Sequence, residues 1–143
     1  MTAIQFSGKW DGHYVYGRQF SEEKQKVEVA FVAVIVVEDG VLSGTAEEPV
    51  TRDLMERPAA LSGFIEGNVI SFIKQYPYYY WEDKNGKYYI DRTRLHPPVH
   101  YSGLYDPASD AFTGEWEIEV FLDRDEYGED SYLITGTWEL RRS

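Results

Sequence analysis

Ile134-Thr-Gly-Thr-Trp138, near the end of the chain, reads as a hydrophobic residue, a hydroxyl residue, glycine, any residue, and a large hydrophobic one. The same pattern occurs at Phe6-Ser-Gly-Lys-Trp10, Leu42-Ser-Gly-Thr-Ala46, Leu61-Ser-Gly-Phe-Ile65, Tyr101-Ser-Gly-Leu-Tyr105 and Phe112-Thr-Gly-Glu-Trp116, with Ala46 as the weak member. Along an extended strand, side chains alternate between faces, so each glycine shares the core face with its two hydrophobic neighbours while the Ser or Thr points out. A core-facing glycine weakens a strand and is tolerated where the sheet bends sharply or a bulky neighbour needs the space. Glycines in this setting at six places predict a strongly coiled sheet that closes on itself, small and large residues alternating to fit the taper. Their positions (Gly8, Gly44, Gly63, Gly103, Gly114 and Gly136) share no fixed period, which argues against a solenoid or propeller.

Outward from these stretches, period-2 alternation dominates. The first strand, about Phe6 to Tyr16, puts Trp10, Gly12, Tyr14 and Tyr16 on one face. Val27 to Glu38 and Val41 to Glu48 form a hairpin across Asp39-Gly40; Ala59 to Glu66 and Val69 to Tyr76 pair across Gly67-Asn68. Tyr78 to Glu82 and Lys87 to Arg92 pair across Asn85-Gly86, since such dipeptides close tight hairpins. Asp53 to Pro58 reads as a loop. Strands over Val99 to Tyr105, Ala111 to Phe121 and Ser131 to Arg142 complete the chain. The expectation is an all-β, closed antiparallel up-and-down barrel of about eight to ten strands, filling residues 1–143 as one domain.

Gly8-Lys-Trp10 in the first strand and Gly136-Thr-Trp138-Glu-Leu-Arg141-Arg142 in the last resemble the barrel-floor signature of the calycin group, which comprises lipocalins, fatty-acid-binding proteins and avidins. The resemblance implies a closed end at which Arg141 covers Trp10, with Trp116 and Trp138 in the core, and a barrel that binds small apolar molecules. The sequence departs from the group in two respects. Arg18 to Lys26 looks too short for the helical lid of a fatty-acid-binding protein, and no helix of lipocalin type follows the last strand.

Composition bounds the function. With 14 Lys plus Arg against 25 Asp plus Glu, a net charge of −11 repels phosphate backbones and anionic lipid. Neither a nucleic-acid nor a membrane role is expected. The absence of cysteine excludes disulfides and Cys-ligated metals, and the first ten residues lack the apolar run of a secretory signal, which points to the cytoplasm.

Eight of the 12 tyrosines lie between Ile73 and Tyr105. Read as a barrel mouth, this segment offers Lys74, Tyr76, Tyr78, Tyr80, Trp81, Arg92, Arg94, His100 and Tyr101 to a ligand: the rings give contact area, and the cations neutralise an anionic group. Lys74 shares a face with Ile70, Phe72 and Tyr76. The alternative is that the tyrosines are half-buried strand residues with hydroxyls in solvent and Lys74 extends to a rim. His96 and His100 flank Pro97-Pro98 and read as turn or surface residues. Asp123 to Asp130 matches only the start of a calcium loop, since Tyr127 and Ile134 stand where ligands are needed. No nucleophile elbow, phosphate loop or metal-ligand set is present. No catalytic residue, metal or cofactor is expected.

Val27 to Val37 is apolar on both faces. Only one can point into a barrel, so Ala30, Val32, Val34 and Val36 are expected to meet a second copy in a homodimer. The functional expectation is thus a barrel holding a small apolar or aromatic, possibly anionic, ligand. The alternatives are a self-filled interaction module and, third, a small-molecule enzyme. An interior cavity of about 300 Å³ or more separates the first two.

Overall fold

The computed structural model describes residues 5–121 and 131–143. Its elements run β1 (Gly8–Tyr16), α1 (Glu22–Gln25), β2 (Glu28–Glu38), β3 (Val41–Glu47), α2 (Pro49–Leu54), β4 (Ala59–Glu66), β5 (Val69–Gln75), β6 (Tyr79–Glu82), β7 (Tyr88–Asp91), β8 (Val99–Asp106), β9 (Ala111–Phe121) and β10 (Ser131–Arg142). Eight strands form a closed antiparallel barrel in the order β1-β10-β9-β8-β5-β4-β3-β2, and β6 and β7 form a separate two-stranded sheet. The acidic segment from Asp123 to Asp130, with its partial calcium-loop pattern, lies outside the described residues.

Local chemistry accounts for the path. The β2–β3 turn takes Asp39 at φ 52° and Gly40 at φ 80°, the left-handed pair that matches the twist of a two-residue hairpin. Closure is made by β1 against β10, in register from Trp10 opposite Arg142 to Tyr16 opposite Gly136. The β6–β7 hairpin, read in the sequence beside the other strands, lies outside the barrel because β5 pairs directly with β8, Lys74 opposite Val99. Asp53 and Leu54, expected in a loop, end the six-residue helix α2.

Two of the repeated glycines, Gly103 and Gly136, make room for indoles, and Gly44, Gly63 and Gly114 allow close approach of the neighbouring strand's backbone. Gly136 lies opposite Trp116, and Gly114 opposite Trp138, on neighbouring strands. A Cβ on Gly136 would collide with the Trp116 indole and the Val15 carbonyl, and one on Gly103 would sit 2.9 Å from the Trp138 ring. Each indole so seated donates to backbone: Trp116 Nε1 to the Val15 carbonyl at 3.1 Å, and Trp138 Nε1 to the Glu115 carbonyl at 3.0 Å. Gly8 differs, with open space where its Cβ would stand.

One end of the barrel is packed shut. Trp10 and Phe112 are fully buried there, with ring centroids 5.1 Å apart, and Phe6 and Tyr105 close the cluster. The guanidinium over Trp10 belongs to Arg142, at 4.4 Å from the ring, and not to Arg141. Alternation is the reason: Trp138, Leu140 and Arg142 share the inner face of β10, whereas Arg141 is exposed and pairs with Glu139. Arg142 also bonds Asp110 at 2.8 Å, which in turn accepts from Tyr105 at 2.6 Å.

Candidate functional site

At the opposite end the side chains stop short of filling the barrel. Alternation along β5 brings Ile70, Phe72 and Lys74 to the interior, and Tyr76 follows in step just beyond the strand. Lys74 is therefore drawn inside, 1% exposed. A buried ammonium is costly unless paired and hydrogen-bonded. Its partner is Glu48, 2% exposed, whose Oε2 accepts from Lys74 Nζ at 3.0 Å. Glu48 stands between the end of β3 and Pro49, which favours extended backbone in the residue before it; its ψ is 155°.

Tyrosine hydroxyls complete the coordination. Tyr76, Tyr14 and Tyr80 donate to Glu48 Oε1 at 2.8, 3.2 and 3.3 Å, and Tyr101 Oη accepts from Lys74 at 3.4 Å. The ammonium also lies 4.8 Å from the centre of the Phe31 ring and 5.0 Å from that of Tyr76. Among the described residues no buried side-chain nitrogen or oxygen lacks a partner. Burial pushes the Glu48 carboxyl up, but the Lys74 charge and the donated hydrogen bonds outweigh it and hold Glu48 below the usual range. Burial likewise pulls Lys74 down, and Glu48 more than restores it. The pair is ionised. Burial, with the Glu48 charge adding to it, raises Tyr14, Tyr76 and Tyr80 well above the usual phenol value, so all three remain donors.

Above this network lies a cavity of about 400 Å³ that opens at the barrel end. Tyr14, Tyr76, Tyr80 and Tyr101 line it from below; Tyr16, Phe20, Tyr79, Trp81 and Trp116 form its aromatic walls, with Val99, Ile118 and Ile134 between them. Lys24 and Glu82 stand at its rim, 3.7 Å apart, the Lys24 ammonium lying 4.9 Å over the Tyr16 ring. His96 forms part of the wall, stacked on Tyr80 with centroids 5.1 Å apart. Its other side faces a second depression of about 430 Å³ outside the barrel, beside Pro97, Pro98, His100 and Glu117. Burial lowers the His96 pKa.

A solved structure carries a similar architecture. A rhizavidin–biotin complex superposes with a TM-score of 0.51 at 12% identity, covering 99% of this chain and 98% of that one. A second rhizavidin structure aligns at TM-score 0.47 and 11% identity over 93% of this chain and 83% of that one. The barrel has an avidin-like calycin fold. No family model and no curated protein matches the sequence.

Several residues expected at the mouth are elsewhere in this avidin-like barrel. Arg92 is exposed outside it, on Glu56 at 2.7 Å and over the Tyr78 ring, whose hydroxyl donates to the same carboxylate at 2.7 Å. Arg94 is exposed and lies against Tyr79 at 4.6 Å. His100 occupies an outward position of β8 and is exposed. Arg92, Arg94, His100 and Tyr78 are absent from the cavity lining because they sit on the outer surface of the β6–β7 excursion or on the outer strand face. Tyr76, Tyr80, Trp81 and Tyr101 do line the cavity, and Lys74 lies beneath it. His96, expected at a surface turn, is half-buried in the wall.

Glu48 is the residue that the sequence reading missed. In Glu47-Glu48-Pro49 it resembles any solvated acidic pair. The usable signal was Lys74: a lysine on an inward face requires a buried acid, and Pro49 fixes the direction of the residue before it. Among the described residues no group of His, Asp and Glu is placed to hold a metal ion, and no helix is long and apolar enough to cross a membrane.

Proposed function

We propose that this protein is a receptor for a small, largely apolar aromatic molecule, held between the tyrosine and tryptophan rings at the open end of the barrel. The observation that carries the reading is the division of the interior: it is packed solid around Trp10 and Phe112, and it opens to about 400 Å³ around Tyr16, Tyr80, Trp81 and Trp116. That volume lies within the range of small-molecule sites, which begins near about 300 Å³. Flat rings with few rotatable bonds give contact area at low entropic cost. Neither Arg92 nor Arg94 reaches the cavity, so the aromatic walls supply the contact area for the ligand's ring. The similarity to the rhizavidin–biotin complex supports an avidin-like barrel as a scaffold for such a site, and biotin belongs in the test panel.

The test combines native mass spectrometry of protein from its own host with titration of tryptophan fluorescence by indole, 2-phenylethanol and biotin. A retained small-molecule mass, or saturable quenching that Trp81→Ala weakens at least tenfold, is the expected result. Apo mass alone, with no quenching and no thermal shift across the panel, overturns the reading.

We further propose that a second copy covers the outer face of β2. Ala30, Val34 and Val36 are exposed there and Val32 is half-buried. Val41 and Phe64, cross-strand partners on the adjoining strands, extend the exposed apolar surface.

A further inference from the structure

Taking Lys74 and Glu48 out of water together is expensive, and a well-packed apolar pair of similar volume would commonly be as stable or more so. The tyrosines deepen the puzzle, because three hydroxyls from β1, the end of β5 and β6 converge on one carboxylate oxygen. We infer that this chamber is a carboxylate-binding site, that Glu48 is its resident occupant, and that an aryl carboxylate binds by exchange with it. In the exchanged state the ring lies in the cavity and the carboxylate takes the place of Glu48 on Lys74, Tyr76, Tyr14 and Tyr80. The inference rests on the receptor reading and names its ligand class.

The exchange follows from placement and charge. Tyr14, Tyr76, Tyr80 and Tyr101 line the cavity and also hold the Glu48–Lys74 pair, so the carboxylate seat adjoins the ligand space. One carboxylate replacing another leaves the charge of the chamber unchanged, and Glu48 regains its hydration outside. A neutral molecule in the seat would strand the Lys74 charge, which is why the head group must be an anion. Flat, bidentate geometry suits the donors, which approach both oxygens.

Glu48 is attached to a part of the structure that can give way. It belongs to no strand and stands at the start of α2, where its side chain makes no capping hydrogen bond. Outside, the segment is tied by exposed contacts of Arg92 with Glu56 and with the Leu54 carbonyl. Surface ties of that kind are weak. Thr51 and Met55 are buried, and opening must give up their packing.

The test has two arms. In the first, Glu48→Ala is unfolded thermally with sodium formate or with sodium chloride at equal ionic strength. Formate is expected to raise its melting temperature saturably, chloride is not, and Glu48→Ala/Lys74→Met is expected to ignore both. In the second, the wild-type protein is titrated with phenylacetate and with 2-phenylethanol. Phenylacetate is expected to bind at least tenfold more tightly and to speed amide hydrogen exchange in residues 49–56. A folded Glu48→Ala protein that is blind to formate overturns the inference. So does equal binding of the two wild-type probes, which leaves the receptor reading standing; binding of neither overturns the inference and counts against the receptor as well. Should Glu48→Ala not fold even in formate, the wild-type arm decides alone.

Discussion

Lys74 and Glu48 hold each other in their charged forms, so removing one is worse than removing both. Lys74→Met leaves an unpaired carboxylate in the interior and is expected to cost about 3–5 kcal/mol in urea unfolding at pH 7. Adding Glu48→Gln, which removes the charge but keeps an oxygen that accepts from Tyr76, Tyr14 and Tyr80, should return most of that; a double variant no better than the single would show that the unpaired charge is not the source of the loss. The pH dependence has a fixed sign. Glu48 has its folded pKa below the ordinary value of 4.5, so its contribution is complete above that pH and is lost as pH falls through the folded value. His96 also acts on the acid side, because burial depresses it from 6.5. The unfolded chain takes up a proton before the folded one, and stability declines as pH drops below about 6.5. The melting temperature of the wild type should therefore fall between pH 6.5 and pH 5 by more than that of His96→Gln, as differential scanning calorimetry would measure. The two arginines near the C-terminus show how far single residues could be read in advance. Strict alternation from Trp138 and Leu140 points to Arg142, while motif resemblance alone pointed to Arg141. Glu48 falls in step with Leu42 and Ala46 at the end of the strand read over Val41 to Glu48, but a charged residue at a strand end reads as solvated, and its burial arises from partners 26 to 34 residues away.

At the scale of elements, hairpins were legible wherever a turn demanded special backbone, as at Asp39-Gly40. The helix α2 was not, because six residues are too few to display a helical period. That segment and the β6–β7 hairpin are joined outside the barrel by Glu56, Arg92 and Tyr78. Arg92 and Tyr78 hold the Glu56 carboxyl down to about 2, so the junction survives mild acid. Arg92→Ala should leave global stability nearly unchanged, as expected for an exposed ion pair, yet hydrogen exchange should quicken selectively in residues 49–58 and 79–91. Uniform exchange across the chain would show that the junction fixes nothing. The β10–β9 ladder depends on the space at Gly136. Gly136→Ala, which meets both the Trp116 indole and the Val15 carbonyl, is expected to cost at least about 1–3 kcal/mol by chemical denaturation. Trp116→Phe should not rescue it, because the carbonyl remains in the way.

The whole molecule was the most legible level, since closure follows from glycine–tryptophan pairs and alternation that recur along the chain. The shape of the cavity was less so. It depends on which end the large residues fill, and composition alone is silent on that. The outer face of β2 gives a prediction at this scale. If two copies meet there, Val34→Glu/Val36→Lys should halve the mass seen by light scattering while leaving the circular dichroism spectrum unchanged. A wild type already of monomer mass would refute the dimer.

The direct pairing of β5 with β8 also bears on how such a protein can change. Lys74 and Val99 are already opposite one another in the wall, so the residues between them form a cassette whose ends meet. A cassette of this kind can be shortened, exchanged or diversified while the ladder that closes the barrel stays continuous. Tyr76, Tyr80, Trp81 and His96 all ride on it. One part of the cavity wall in this architecture is thus carried by a single contiguous stretch of sequence, open to grafting and to selection from libraries with the remaining strands held constant.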